Sequence, residues 1–137
     1  VGIDTSVEMI TLARSYGVIS PYLNMDMRRI ELEENSFHGV FCESAISHIK
    51  KTEVPDVLKH FYRLLSPGGV LMLGIRVGSG HVYILDDQVG GKRYNTTMTP
   101  EESNDLISSV GFDILNSPEY QVTDRPNMID YILKKPI

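Results

Sequence analysis

Apolar and polar positions change period several times along the 137 residues, and each change predicts an element. "VGID" is short and apolar, predicting a strand that ends at Asp4. Ser6 can cap a following helix, with Met9, Ile10, Leu12, Ala13 and Tyr16 on its apolar face and Gly17 as a stop. "PYLNMDM" predicts a short strand, "RRIELEENS" a polar turn, and "FHGVFCESA" a buried strand with a polar end. Val54, Val57, Leu58, Phe61, Leu64 and Leu65 then recur at three and four, with Pro55 in the first turn, which predicts an amphipathic helix. "SPGG" ends that helix, and the unbroken apolar run "VLMLGIRV" predicts a strand covered on both faces.

Residues 78–98 are polar and Gly-rich, and predict a long loop or a small excursion. In "TPEE", Thr99 and Glu102 have capping-box spacing around Pro100. Leu106, Ile107 and Val110 give the buried stripe of that helix and Gly111 its end. "FDILNSPEYQV" and "MIDYILKK" are two strands with no helix between them, so they pair antiparallel. The order predicts an α/β fold with a sheet that is parallel for most of its width and antiparallel at its C-terminal end.

Composition narrows the picture. The length suits one domain, residues 1–137, and 42% hydrophobic content suits a globular chain. No apolar run approaches a membrane span, and no signal peptide is visible. A net charge of −5 argues against a broad nucleic-acid-binding face. The single Cys42 excludes an intramolecular disulfide and fits a reducing, cytoplasmic setting. It lies mid-strand, as a small core residue rather than a nucleophile.

Two strand-end acids carry the candidate chemistry. Ligands of doubly wound sheets bind outside the carboxyl ends of the strands. A carboxylate at Asp4 can accept from both hydroxyls of a ribose, or can simply cap the helix. Asp26 in "NMDM" can accept from an adenine amino group while Met27 lies against the ring, or can be a turn residue beside a core Met. His38, Glu43 and His48 are each five apart, which suits no usual metal-ligand spacing. "KKTE" and "KKPI" look like solvated charge clusters. Arg76, His81, Arg93 and Tyr94 lie in or beside the polar stretch, and "GGKRYNTTMTPEE" can fold as a lid or remain a surface loop.

Taken in order, "VGIDTSVEMITLAR", "NMDMRRIELEENSFHGVFCESAISHI", "LKHFYRLLSPGGVLMLGIRVGSG" and "TMTPEESNDLISSVGFDIL" resemble a class I S-adenosylmethionine-dependent methyltransferase from its second strand onward. The resemblance implies a Rossmann-like sheet and methyl transfer to a small-molecule acceptor, with S-adenosylmethionine as cofactor. It implies that Asp4 binds the cofactor ribose, that Thr5 and Met9 line the ribose and adenine side, and that Asp26 and Met27 hold the adenine. Glu43 and Ser44 would lie near the methionine moiety. His48 would line the acceptor pocket and serve as general base where the acceptor must lose a proton. Tyr94, in the stretch after the fifth strand, would face the substrate.

The chain departs from that pattern twice. His38 stands where the family usually has Asp, and is read as a changed loop contact. The family's first strand and glycine-rich loop precede the segment matching "VGID" and are missing. That strand lies mid-sheet, and its loss would leave strand edges unpaired at about 1–3 kcal/mol per buried group. Several such groups would consume most of a domain's roughly 5–15 kcal/mol. Three outcomes are open: a longer natural polypeptide, another chain (as in a homodimer) or segment filling the gap, or a rearranged sheet. The first is our expectation, the more so because the chain starts at Val1, inside an apolar run, without Met. Two other functions remain in view. One is a non-catalytic binding or scaffold protein that kept the fold. The other is a nicotinamide-dependent oxidoreductase, which the Asp26–Met27 pair and the antiparallel end disfavour.

Overall fold

In the computed structural model, residues 1–17, 19–86 and 90–137 are described, and they fall into two compact units, Val1–Leu32 and Glu33–Ile137. In the first unit, β1 (Gly2–Asp4) leads into α1 (Val7–Ser15) and then β2 (Tyr22–Asn24). β1 and β2 form a two-stranded parallel sheet in which Asp4 lies opposite Asn24. Ser6 caps α1 as expected, its hydroxyl accepting from the Met9 N–H at 3.2 Å. Gly17 follows the helix in the left-handed conformation (φ 71°), which glycine adopts without steric cost. The expected apolar face is only partly buried. Ile10 is inside, whereas Met9, Leu12 and Tyr16 are exposed. Two three-residue strands offer too little surface to cover the whole stripe.

The second unit starts with β3 (Phe37–Cys42), two 3-10 turns (Ala45–His48 and Lys51–Glu53), α2 (Val54–Leu64) and β4 (Leu65–Arg76). β5 (Gly80–Asp86) and β6 (Gly91–Thr97) follow, then α3 (Pro100–Val110), β7 (Asp113–Asn116), β8 (Glu119–Val122) and β9 (Arg125–Lys134). β4 is central. It pairs parallel with β3 on one edge and antiparallel with β9 on the other. β9 also pairs antiparallel with β7 and β8. The antiparallel end is present, but the five-stranded sheet is mixed rather than mostly parallel, with one parallel pairing and three antiparallel ones. The expected single strand "FDILNSPEYQV" is split at Ser117–Pro118, because proline has no N–H for the ladder.

The core follows the predicted stripes. Val54, Val57, Leu58, Phe61 and Leu64 of α2 are buried, as are Leu71 and Leu73 of β4 and Tyr131 and Leu133 of β9. Burying each large side chain contributes roughly 1.5–3 kcal/mol. α3 has the expected capping box, and Gly111 ends it in the left-handed conformation. Tyr131 ties α3 to the sheet, its hydroxyl lying 2.6 Å from Ser103 Oγ and donating to Asn104 Oδ1 at 3.0 Å.

Five further expectations are corrected. "SPGG" does not separate helix from strand. It lies inside β4, where the register jumps from Phe37↔Leu65 to Gly39↔Val70. His38 is no loop residue but an exposed position in β3 at that same register break. β3 itself is half exposed, with Phe41 open to solvent, because among the described residues it pairs only with β4. The charge clusters are not merely solvated. Lys135 Nζ donates to the carbonyls of Tyr62 (3.0 Å) and Leu65 (2.7 Å), where α2 leaves acceptors unpaired. Lys51 pairs with Glu102 at the start of α3. The polar 78–98 stretch, of which 87–89 lie outside the described residues, holds the antiparallel hairpin β5–β6.

Gly74 sets the closest approach in this unit. A Cβ there would overlap the Glu43 carbonyl at the end of β3. Gly74→Ala should therefore destabilise the protein by about 1–3 kcal/mol, the usual range for overpacking. Urea unfolding monitored by circular dichroism checks this, and an unchanged midpoint would contradict the close approach.

Candidate functional site

Within residues 1–32, the carboxyl ends of β1 and β2 are locked together. Met25 N–H donates to the Asp4 carbonyl at 3.0 Å. The Asn24 side chain donates to the carbonyls of Asp4 (3.1 Å) and Thr5 (2.8 Å). Asp4 is half-buried, and its Oδ1 accepts from Ser6 N–H at 2.8 Å, the local turn that Asp favours. Its Oδ2 accepts nothing among the described residues and is available to a ligand. Thr5 and Met9 are exposed beside it.

Asp26 is differently placed. Arg28 grips it, with Nε 3.0 Å from both carboxylate oxygens, Nη2 2.6 Å from Oδ2, and the Arg28 N–H 2.9 Å from Oδ1. These hydrogen bonds, and secondarily the charge of Arg28, hold its carboxyl below the usual carboxylate range. Three Arg28 N–H groups engage the two oxygens, the Nε–H shared between them, so a ligand amino group at Asp26 competes with Arg28. Met27 is half-buried.

Within residues 33–137, β3 delivers Cys42, Glu43 and Ser44 at its carboxyl end. Cys42 is buried, and burial pushes its thiol up, away from a reactive thiolate. Glu43 is exposed and Ser44 half-buried. The 3-10 turn Ala45–His48 is fastened to β6 by two bonds. Thr96 Oγ1 donates to the Ile49 carbonyl at 2.6 Å, and His48 Nδ1 lies 2.9 Å from the Tyr94 carbonyl oxygen. A carbonyl only accepts, so Nδ1 carries the proton and Nε2 is left as the basic nitrogen of the neutral ring.

A cavity of about 160 Å³ opens here. Ser44, His48, Arg76, Arg93, Asn95 and Arg125 supply its polar lining, and Ile84 and Leu85 an apolar wall. It is smaller than the roughly 300–1,000 Å³ of whole-ligand pockets, so it accommodates one group of a ligand. Arg76 is 6% exposed, and its Nε donates to Asn95 Oδ1 at 3.0 Å. The alternation of β6 puts Arg93 and Asn95 on one face and Tyr94 on the other. Tyr94 stacks on His81 (ring centroids 5.3 Å apart) and meets Tyr83 edge-on at 5.7 Å.

The structure thus brings Ser44 and His48 together at one cavity with Arg76 and Arg93, and keeps the Tyr94 ring on the opposite side of its strand. Asn95 and Arg125 were not singled out from the sequence. Asn95 was discoverable, two residues from Arg93 and hence on the same strand face. Arg125 had no local signal, since β9 carries it to Arg76 from 49 positions away. Among the described residues, no group of three His, Cys, Asp or Glu side chains is placed to hold a metal. None of the helices there is long and apolar enough to cross a membrane.

Comparison with known proteins places the chain in a family. A family profile described as "Methyltransferase domain" matches residues 1–73, and the chain belongs to that family, with the class I S-adenosylmethionine-dependent methyltransferase fold. Among solved structures, an S-adenosylmethionine-dependent methyltransferase from Methanosarcina mazei aligns with TM-score 0.85 at 17% identity, over 99% of this chain and 81% of that one. The 1,6-didemethyltoxoflavin-N1-methyltransferase of Burkholderia thailandensis, solved with 1,6-didemethyltoxoflavin and S-adenosylhomocysteine bound, aligns with TM-score 0.75 at 16% identity, over 98% of this chain and 60% of that one. The [4+2]-cyclase SpnF aligns with TM-score 0.73 at 16% identity, over 99% of this chain and 65% of that one. No curated protein matches the sequence.

Replacing Arg28 by Ala should raise the Asp26 carboxyl pKa toward its ordinary value of about 3.9. The depressed pKa contributes stability above the unfolded-state value, and that contribution is lost as pH falls through the lowered folded value. Carboxyl-carbon NMR titration of Asp26 in both proteins checks this. Superimposable curves would contradict the Arg28 grip.

Proposed function

We propose that the two units act as one methyltransferase domain that transfers a methyl group from S-adenosylmethionine to a small-molecule acceptor. The observation that carries this reading is Asp4, a half-buried carboxylate at the carboxyl end of a parallel strand, with one oxygen anchored and the other available. That geometry suits a ribose hydroxyl pair. The family match spans residues from both units, which supports treating them together. The neighbour solved with 1,6-didemethyltoxoflavin and S-adenosylhomocysteine bound supports the cofactor and a small-molecule acceptor.

In this reading Asp4, Thr5 and Met9 hold the ribose side, Asp26 and Met27 the adenine, and Glu43 and Ser44 the methionine end. At Asp26 the adenine competes with Arg28. S-adenosylmethionine, when bound, supplies an electrophilic methyl group on a positively charged sulfur. The chain's task is then chiefly positioning. His48, with its proton fixed on Nδ1, offers Nε2 to take a proton from an acceptor that must lose one. The Tyr94 ring lies on the face of β6 away from the cavity and so does not meet the acceptor; Tyr94 acts indirectly, its carbonyl setting the His48 tautomer and its ring buttressing the strand against His81 and Tyr83.

A second reading, a binding protein that keeps the fold without the cofactor, is favoured by one observation, the engagement of both Asp26 oxygens by Arg28. Isothermal titration with S-adenosylmethionine separates the two. Methyl transfer predicts saturable binding that Asp4→Ala weakens about tenfold or more, the loss of a hydrogen bond to a charged group. No binding, or an affinity indifferent to Asp4→Ala, would refute the assignment.

A further inference from the structure

Arg76 occupies an unusual electrostatic position. Its side chain is nearly fully buried, yet among the described residues its guanidinium forms no salt bridge. Nε is held by Asn95, itself 2% exposed and fixed through its own donation to the Arg93 carbonyl at 2.9 Å. Nη1 is buried without a hydrogen-bond partner. Burial pushes the guanidinium pKa down, and the like charge of Arg125, which lines the same cavity, adds to it. Tyr120 pulls the other way. Glu43 and Asp130 act on that phenol, and neither lines the cavity. A buried charge lacking a counter-ion costs several kcal/mol, and a second cation beside it raises the cost. An oxyanion in the cavity would remove it.

We propose that Arg76 and Arg125 form an oxyanion-binding subsite, and that the methyl acceptor carries a carboxylate or phosphate held there. This rests on the methyl-transfer reading. The cavity's size suits such a group, with the body of the acceptor lying outside it. Among the described residues, no carboxylate lines the cavity to compete. A guanidinium fork oriented by Asn95 is preorganised for paired hydrogen bonds to two oxygens. His48 and Ser44 line the same cavity, so an acceptor anchored by its anion lies beside the His48 imidazole.

The test uses inorganic phosphate and acetate as probes, followed through the Arg Nε–H resonances of the labelled protein, with S-adenosylhomocysteine affinity measured in parallel. The expected result is a saturable shift of the Arg76 signal by at least one probe. Arg125→Gln, an exposed site that leaves the core intact, should weaken that binding severalfold, and Arg76→Gln about tenfold or more. S-adenosylhomocysteine affinity should stay within about twofold in Arg125→Gln and be unaffected by saturating phosphate. An unshifted Arg76 signal with both probes, or anion binding indifferent to Arg125→Gln, would overturn the subsite. So would a parallel loss of S-adenosylhomocysteine affinity in Arg125→Gln, which would assign the anion to the cofactor's own carboxylate. Phosphate binding at Arg76 without any S-adenosylhomocysteine binding would leave the anion site standing and remove the methyl-transfer reading beneath it.

Discussion

The two hydrogen-bonded edges of β4 are the constraint on which residues 33–137 depend. Its parallel pairing with β3 fixes where Cys42, Glu43 and Ser44 leave the sheet. Its antiparallel pairing with β9 sets Arg76 opposite Met128 and so brings Arg125 close. Side chains alternate across a strand, so a one-residue slip on either edge would turn Arg76 away from Asn95 and expose Leu71 and Leu73. Gly74 is the sequence's concession to this arrangement. Only a residue without Cβ allows β4 to pass so near the Glu43 carbonyl.

From this strand the polar machinery is assembled by tethers rather than by further core. Met98 N–H donates to the Arg76 carbonyl and Gly78 N–H to the Met98 carbonyl, both at 3.0 Å, which pins the base of the β5–β6 hairpin. The hairpin then reaches the 3-10 turn through Thr96 and the Tyr94 carbonyl. Such contacts contribute about 1 kcal/mol each. They position Asn95 against Arg76 and the His48 ring against the same cavity. Burial of a guanidinium that has no salt bridge among the described residues is the cost of that placement, and a cost borne at a cavity wall points to ligand recognition.

What was legible in the sequence was what local chemistry determines. The capping box at Thr99 and Glu102, the α2 stripe and the Gly111 stop need only neighbouring residues, and all are present. Asp4 and Asp26 could be placed at strand ends because each follows its own short apolar run. What escaped were features made by distant partners. Lys135 lies beyond the last strand and caps a helix some 70 residues earlier. Arg28 neutralises the very carboxylate that spacing had marked for a ligand, through a side-chain conformation that no periodicity reveals. The hairpin escaped because neither His81–Leu85 nor Lys92–Thr96 alternates apolar and polar residues, and the flanking glycines read as loop. The antiparallel character of the sheet was understated because β9 takes three partners, which only its long run of pairing groups permits.

The central claim is that this family member binds S-adenosylmethionine through the carboxyl ends of its strands. It is tested most directly by two-dimensional amide NMR of the labelled protein titrated with S-adenosylhomocysteine. The account predicts saturable shifts concentrated at Asp4, Thr5 and Met9, at Asp26 and Met27, and at Glu43 and Ser44, with Arg28 Nε–H moving as its bonds to Asp26 exchange. A titration with no saturable shifts, or with shifts confined to other residues, would contradict it.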